Sequence, residues 1–552
     1  MPDKDSILDI ALKNAFQHGG KADPGTVLSR YLASNPEERK NAGSLLPLIE
    51  EIVREVNSLG VVEITDRVSK AHPELVNVEK KVQEHVLPDL KDVKGKVVMR
   101  LAPSPSGPLH LGHTRMAFLN DEYVRRYGGK LILRIEDTNP ANIEPAAYDM
   151  IPGDLEMLGV KVHEIVIQSS RLAIYYREAE SLIKGGHMYA CTCKREDAKR
   201  LKLEMKACPH REQPLETNLD VFNSMRDGKL EPGSASLVVR TSLDDPNPSL
   251  RDWIAFRIPA ARHPIAGDDF HLFPTMNFSV AVDDHFLGLT HVIRGRDQLN
   301  NTYRQRFIFD YNGWKVPFYF HYGMISYPGS LLKTSLMKKG IREGKFSGWD
   351  DVRLLTVRAL LRRGYRKETF RKYWIDSGLR DVDATFSWEI FNSINKGFID
   401  SDARRLFFVK DPHQITISEA PDIESSIPFH PSRPELGARR YSVKAGSSVY
   451  ITTEDWLSIS DGETVRLKDL CNVTRVDGRL TYSKAQDLSR KGRIIHWAPE
   501  KSIGFTVVKP DGTIDSGLLE PEGMDVEGEV QMERYGYVNS FPREGTGYFT
   551  HR

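Results

Sequence analysis

The sequence predicts a multidomain α/β protein. A parallel-sheet domain split by an insertion is preceded by a helical module and followed by a helical connector and β-barrel-like domains. Three observations lead there. Short apolar strands alternate with helical stretches between residues 96 and 328, as in a parallel sheet. Before about Gly95, apolar residues recur at helical spacing. After about Phe407, short β-rich runs are separated by Gly, Asp and Pro turns at barrel-like intervals. A length of 552 residues suits about three to four domains of ~150 residues each.

Charge and cysteine content narrow the class. Lys and Arg number 77 against 76 Asp and Glu, a net +1. That excludes a uniformly basic coat for nucleic acid but says nothing of local patches. Four cysteines in so long a chain make no disulfide framework. The start MPDKDSILDI lacks a basic region followed by an apolar run, and no stretch of ~18 apolar residues occurs. A cytoplasmic protein is expected.

The elements follow in order. In residues 1–95, Ser44 is a candidate N-cap for a helix carrying Leu45, Leu48, Ile49, Ile52, Val53, Val56 and Leu59, with Gly60 at its end. No polar cluster here suggests chemistry. Residues 96–190 open on the strand Val97-Val98-Met99, continue through the turn-rich APSPSGP into a helix from about Thr114, and reach a second strand at Leu131–Ile135 that ends in EDTNP. Ligands of such a sheet lie beyond the carboxyl ends of its strands. Residues 191–262 break the rhythm and hold three of the four cysteines, so they read as an insertion. The α/β pattern resumes over 263–328, with Val280-Ala281-Val282 and His291-Val292-Ile293-Arg294. Residues 329–405 hold a Lys-rich turn and a basic helical connector. Residues 406–552 are the β-rich tail, with Gln414–Ile417, Val449–Ile451, Arg493–Trp497 and Gly504–Val508 as its clearest runs.

The most informative stretch is RLAPSPSGPLHLGH, from Arg100 to His113. Between a strand and a helix, its backbone N–H groups and the helix dipole favour phosphate. His110 and His113, one turn apart, can donate hydrogen bonds to phosphates and to charge developing in a transition state. Gly112 lets the backbone approach a nucleotide. A metal pair is the alternative, but the zincin pattern needs i, i+4 spacing plus a Glu; ordinary surface histidines are another.

This segment resembles the histidine signature of the class I aminoacyl-tRNA synthetases. With LRIEDTNP, PTMNFSVAVDDHFLGLTHVIRGRDQ, RIIHWAP and EVQMERYGYV in order, the chain is identified as a member of the glutamyl/glutaminyl subgroup, of archaeal type because its tail is β-rich. The resemblance implies a Rossmann-like catalytic domain with an acceptor-end-binding insertion, and two β-barrels that bind the anticodon. It implies activation of an amino acid with ATP and Mg2+ to an aminoacyl-adenylate, then transfer to the 3' end of tRNA. The ATP-binding motif comprises Pro103, Ser104, Pro105, Ser106, Gly107, Pro108, Leu109, His110, Leu111, Gly112 and His113, with His110 and His113 catalytic.

The same resemblance places Glu136 at the substrate α-ammonium and points Arg100 into the amino-acid pocket, with pairing to Arg134 as the plainer reading of Glu136. Arg294 in HVIRG decides the substrate. Glutamyl members resemble this chain in having arginine there, and a guanidinium binds a carboxylate bidentately. Glutamine would leave a buried charge unpaired, at a cost of about 3–5 kcal/mol. Glutamate and tRNA(Glu) are therefore expected, with tRNA(Gln) a further substrate to test. One departure is Met276, where many members have a pocket tyrosine; Asn277 or water must complete the pocket.

The family's Lys-Met-Ser-Lys-Ser loop corresponds to Ser330–Gly340, SLLKTSLMKKG, where the second lysine of the motif falls on Thr334. Lys333, Lys338 or Lys339 can supply the cation, with Thr334 and Ser335 as hydroxyl donors; a solvated Lys-rich turn is the plainer reading. In the insertion, Cys191-x-Cys193 and Cys208-x-His210 offer two ligand pairs of the kind that suits tetrahedral Zn2+. A similar structural zinc site occurs in some glutamyl members. Reduced spectator thiols are the alternative, and Cys471 reads as a small buried hydrophobe.

Between Arg353 and Lys372 the basic residues Arg353, Arg358, Arg362, Arg363, Arg366, Lys367, Arg371 and Lys372 suit phosphate contact or a solvated face. Trp497, Tyr535 and Tyr537 are stacking candidates for anticodon bases, with core packing their plainer use. The helical leader is a candidate docking module for other translation proteins. Competing functions are a glutaminyl enzyme, opposed by Arg294, a catalytically silent tRNA-binding paralogue, and a small nucleotidylyltransferase, which leaves the tail unexplained.

Overall fold

The computed structural model describes residues 3–17, 20–72, 86–329, 331–485 and 492–552. Ser330 and residues 73–85 of the helical leader lie outside the described residues. The chain forms two compact units, Met1–Glu84 and His85–Arg552.

In the first unit the helices Lys4–Gln17, Pro24–Ser34, Ala42–Ser58 and Val61–Ala71 bury Ile7, Ala11, Val27, Ile49, Val53, Val56 and Ile64 against one another. The apolar spacing of the third helix sets its buried stripe, as the sequence predicts. Its start differs from expectation. It begins at Ala42, and Ser44 lies inside the first turn with its hydroxyl donating to the Asn41 carbonyl (2.8 Å), so Ser44 caps nothing. A side-chain cap does open the second helix, where the Asp23 carboxylate accepts from the Thr26 amide (2.8 Å).

Residues 86–95 carry no helix and pack onto the second unit. Leu87 and Leu90 are buried in its core, and Pro88 accepts from the Tyr123 hydroxyl (2.8 Å). Helical leader and parallel-sheet core therefore part earlier than Gly95.

The core of the second unit is a parallel sheet. Strands β1 (Val98–Leu101), β2 (Lys130–Ile135) and β3 (Glu164–Ile167) pair in that order, with Met99 opposite Leu131 and Leu133 opposite Ile165. The helices Leu111–Arg126 and Ala147–Met157 make the two crossovers, as parallel strands require. Met99, Leu101, Leu131, Leu133, Ile135, Phe118, Leu119 and Tyr123 are all buried here.

The next strands, β4 (Met188–Cys191), β5 (Ser236–Val239), β6 (Trp253–Arg257) and β7 (Phe273–Pro274), form an antiparallel sheet around Leu237, Phe256 and Phe222. The chain then returns through the helix Met276–Phe286 to β8 (His291–Gly295), which pairs in parallel with β9 (Phe318–Tyr322). The Thr290 amide donates to the Val98 carbonyl (3.0 Å), which sets β8 beside β1. Val280, Ala281 and Val282 thus sit on a buried helix, while His291–Arg294 form the strand.

The connector helices Val357–Arg362, Lys367–Ser377 and Trp388–Ile399 enclose an aromatic core of Tyr365, Phe370, Tyr373, Trp374, Phe386 and Phe391. Most of the basic residues offered for phosphate contact in this region are ion-paired. Arg353 pairs with Asp351, Arg358 with Asp154, Arg362 with Asp350, Arg366 with Glu529, Arg371 with Asp121 and Glu122, and Lys372 with Asp376. Arg363 is buried, reaching the Thr550 carbonyl (3.3 Å). Arg358 and Arg371 hold the connector to the sheet core on one side, and Arg363 and Arg366 hold it to the tail on the other.

The tail holds two seven-stranded sheets and a two-stranded ribbon, Ile423–Pro428 paired with Ala438–Val443. One comprises Arg404–Leu406, Phe408–Lys410 and strands from Ile503 to His551; the other lies between, from Pro412 to Pro499. Buried Glu520, which follows the first sheet's strand Ile514–Leu519, ties that sheet to the ribbon, accepting from Arg439, from the Tyr441 hydroxyl and from the Phe407 amide (2.6 Å). Trp497 and Tyr537 are fully buried, so packing is their use, and Cys471 is a core residue.

Candidate active site

The loop after β1 is held from three sides. The Glu136 amide donates to the Pro103 carbonyl (3.0 Å) and the Glu144 amide to the Pro105 carbonyl (2.7 Å), which ties the loop to the one after β2. Leu109 donates its amide to Asp154 (2.7 Å), and its carbonyl accepts from Val357 (2.9 Å). Leu111 donates to the Leu355 carbonyl (2.9 Å). Pro103, Pro105, Gly107, Pro108, Leu109 and Leu111 are buried; Ser104 is exposed, and Ser106, His110, Gly112 and His113 are half-buried.

His110 is the N-cap of the helix Leu111–Arg126. Its Nδ1 accepts from the Gly112 amide (3.1 Å), while His113 Nδ1 accepts from the His110 amide (3.2 Å). The rings stack with centroids 3.8 Å apart. Because both Nδ1 atoms are occupied as acceptors, both neutral rings carry their proton on Nε2. Burial and the neighbouring imidazole push His110 well below the usual histidine range, and burial lowers His113 to about 4. The pair therefore offers two neutral N–H donors at neutral pH. At Gly112 a Cβ would lie 3.0 Å from His110 Cε1, so a side chain there would press on the capping ring.

A second cluster of polar side chains lies at the carboxyl ends of β1, β2 and β8. Arg100, Arg134 and Arg294 come from these strands and Glu136 follows β2. Arg134 Nη2 holds Glu136 Oε1 (3.0 Å), so the pairing weighed for Glu136 is present. Asp284, from the helix Met276–Phe286, accepts from Arg100 Nε (3.2 Å) and Arg134 Nη1 (2.6 Å). Arg294 has no carboxylate partner among the described residues. Its Nη2 donates to Thr302 Oγ1 (2.5 Å) and Gln305 Oε1 (2.8 Å), and its Nε is buried without a partner. Asn277 joins through Gln305, whose Nε2 donates to its Oδ1 (3.3 Å). Tyr319 lays its ring 5.1 Å from the Arg294 guanidinium carbon, and its hydroxyl is also buried and unpartnered.

Three guanidiniums thus face two carboxylates. Burial, with Arg100 nearby, lowers Arg294 to about 10, which still leaves it charged at neutral pH. Asp284, Gln305 and Tyr319 escaped the sequence reading. Two adjacent aspartates inside the apolar helix SVAVDDHF were the available signal, since buried acids require partners.

The lysine segment forms the helix Thr334–Arg342, with Lys333 at its N-cap and Thr334 and Ser335 in its first turn. Lys338 pairs with Glu144 (2.6 Å) and Lys339 with Glu343 (3.6 Å), whereas Lys333 has no ion pair among the described residues. This helix start lies against the histidine loop: a Cβ on Gly107 falls 2.6 Å from Thr334 Cγ2.

In the insertion, Cys191, Cys193, Cys208 and His210 place their ligand atoms within 4.8 Å of one another. Cys208 Sγ lies 3.4 Å from Cys191 Sγ, 3.5 Å from Cys193 Sγ and 3.4 Å from His210 Nδ1. His210 Nε2 contacts Thr192 Oγ1 (2.9 Å), leaving Nδ1 toward the sulfurs. Cys471 stands apart in the tail core.

Comparison with known proteins agrees with this geometry. Residues 96–400 match the family described as tRNA synthetases class I (E and Q), catalytic domain, and residues 403–486 match its anti-codon binding domain. The chain is 55% identical over 548 residues to a Glutamate–tRNA ligase of Thermoplasma volcanium, covering 99% of this chain and 100% of that protein. It is 56% identical to that of Thermoplasma acidophilum, again over 99% and 100%. The counterpart in Methanocaldococcus jannaschii is 42% identical over the full length of both.

Proposed function

This chain belongs to the class I tRNA synthetases of the E and Q type, and we propose that it activates glutamate with ATP and transfers it to the 3' end of tRNA(Glu). Arg294 carries the choice of glutamate. Its guanidinium is buried and charged, with Nε unpartnered and no ion pair among the described residues; the nearest acids acting on it, Asp284 and Glu136, are bonded to Arg100 and Arg134. The γ-carboxylate of glutamate supplies an anion to pair with it, and the neutral amide of glutamine does not. The excess of one guanidinium over carboxylates also matches glutamate, which is a net monoanion.

In the mechanism, Arg294 binds the γ-carboxylate, Glu136 the α-ammonium, and Arg100 leaves its Nη groups open toward the substrate. Gln305 and Asn277 hold Arg294 in place. The α-carboxylate then attacks the α-phosphorus of ATP; a carboxyl-oxygen–phosphorus bond forms and pyrophosphate leaves. His110 and His113 donate from Nε2 to phosphate oxygens as charge builds. Lys333, with Thr334 and Ser335, faces the departing pyrophosphate from the helix N-terminus. Mg2+ supplies charge neutralisation on the nucleotide when bound.

Cys191, Cys193, Cys208 and His210 match a tetrahedral Zn2+ in donor type, number and spacing. The ion would hold the ends of the 191–210 segment together beside the antiparallel sheet of the acceptor-end insertion. Residues 96–190 and 263–328 form the catalytic halves in this reading, 191–262 the insertion, 329–405 the loop and connector, and 406–552 the anticodon-binding region. The helical leader suits docking to another translation protein. Charging of tRNA(Gln) is the extension that the pocket leaves open.

Pyrophosphate exchange tests the proposal, run with glutamate or glutamine and with or without tRNA. Exchange is expected with glutamate alone, strongest with tRNA present. Equal exchange with glutamine would overturn the role given to Arg294, and aminoacylation of purified tRNA(Glu) and tRNA(Gln) separates the acceptor specificities.

A further inference from the structure

We propose that Asp284 positions the glutamate pocket without touching substrate, by holding Arg100 and, through Arg134, Glu136. The inference rests on the reading of Arg100 and Glu136 as substrate contacts. Asp284 and Arg134 have side chains 0% exposed, while Glu136 is 14% exposed. Only the last member of the chain Asp284–Arg134–Glu136 therefore has open surface for a ligand.

The geometry divides the work. Arg100 meets Asp284 through Nε, which leaves its two Nη groups for a carboxylate. Arg134 bridges two carboxylates, Nη1 to Asp284 and Nη2 to Glu136. In register, Arg100 lies opposite Ile132, two residues before Arg134. One carboxylate from the facing helix therefore spans adjacent strand ends. The neighbouring Asp283 is committed elsewhere, to Arg171 Nε (2.7 Å), Gln168 Nε2 (3.0 Å) and the Tyr175 hydroxyl (2.6 Å). It cannot substitute.

The consequence is a charge argument. With Asp284 present, Arg134 is shared between two anions, and Glu136 keeps capacity for the substrate ammonium. With Asp284 neutralised, Arg100 loses its ion pair and Glu136 is the one carboxylate still hydrogen-bonded to Arg134, which closes on it. Glu136 is then satisfied internally, and the ammonium loses its partner. Binding of carboxylates is not weakened, because the pocket has become more positive.

The test compares glutamate with glutarate, which keeps both carboxylates and lacks the ammonium. In Asp284→Asn, glutamate KM is expected to rise about tenfold or more. ATP KM should stay within about twofold, and inhibition by glutarate should be unchanged or tighter. Arg134→Lys keeps a cation for Asp284 but cannot span both carboxylates; it should show the same split at roughly threefold, and it serves if the first variant does not fold. Parallel weakening of glutamate and glutarate, or an unchanged glutamate KM, overturns the proposal. A wild-type enzyme inert toward glutamate overturns the functional reading itself, and is seen before any variant is compared.

Discussion

Arg358 of the connector donates from Nε to Asp154 Oδ1 at 2.7 Å, and the other oxygen of that buried carboxylate accepts the Leu109 amide of the histidine loop at 2.7 Å. The loop's position is thus set partly by an arginine some 200 residues away that the sequence had offered as an RNA contact. Burial pushes the Asp154 carboxyl up to about 6, against the opposing pull of the Leu109 amide and Arg358. A carboxyl raised in the fold favours folding below its ordinary pKa, and that contribution fades as pH rises through about 6. Removing Arg358 should raise the group further. In Arg358→Met, the acid limb of the kcat/KM profile should move to higher pH and ATP KM should rise a few-fold, read by pyrophosphate exchange across pH 5–8.

Arg294→Ala should cost glutamate activation on the order of 3–5 kcal/mol in kcat/KM. The loss should fall mainly on glutamate KM, with ATP KM little changed. Near-unchanged glutamate kinetics would sink the substrate assignment.

The three lysines should separate. Lys333→Ala is expected to lower pyrophosphate exchange on the order of 10²-fold, because a cation at the leaving group acts in the transition state. Lys339→Ala should be almost silent, since exposed pairs contribute about 0–1 kcal/mol. Lys338→Ala unpairs Glu144, whose amide holds the Pro105 carbonyl, and should lie between them.

Stability should fall as pH drops from about 6.5 to 4. Burial holds His113, His321 and His496 near 4. The unfolded chain, near 6.5, then binds more protons in this window, so acid favours unfolding. His496 lies in the tail, with Nε2 on the Phe408 carbonyl (2.8 Å). His496→Gln should flatten that slope in thermal melts taken at stepped pH while leaving glutamate activation unchanged at pH 7.5.

Metal analysis of purified protein should find stoichiometric zinc, lost in Cys208→Ser. Chelation should destabilise the insertion on the order of a few kcal/mol and raise tRNA KM more than ATP KM. Absence of zinc from active enzyme would instead assign the four residues to reduced packing.

Where the legible features lay close in the chain, the sequence reading carried far. His110 and His113 are three residues apart on one capped helix turn, and β1, β2 and β8 are apolar runs whose periodicity survives any packing. The tail strands at Gln414–Ile417 and Gly504–Val508 were visible for the same reason. The Cys–Cys and Cys–His pairs, each separated by one residue, announced themselves, and the fold only had to bring 191–193 beside 208–210. Gly112 shows the limit of such reading: its smallness was visible, but its contact with the His110 ring depends on a rotamer.

The sequence by itself determined the α/β core, the barrel-like tail and the histidine loop, because these rest on local periodicity and on motifs a few residues long; the glutamate role of Arg294 came from the family resemblance. Tertiary structure alone decided how charge is distributed among them. Asp284 joins Arg100 and Arg134 across 184 and 150 residues, and Asp154 takes Arg358 across 204. Burial makes those pairings obligatory, since a charge removed from water must find its partner wherever the chain has folded. The connector's basic residues are therefore largely ion-paired, and Arg294 is held on Thr302 and Gln305 with no ion pair among the described residues.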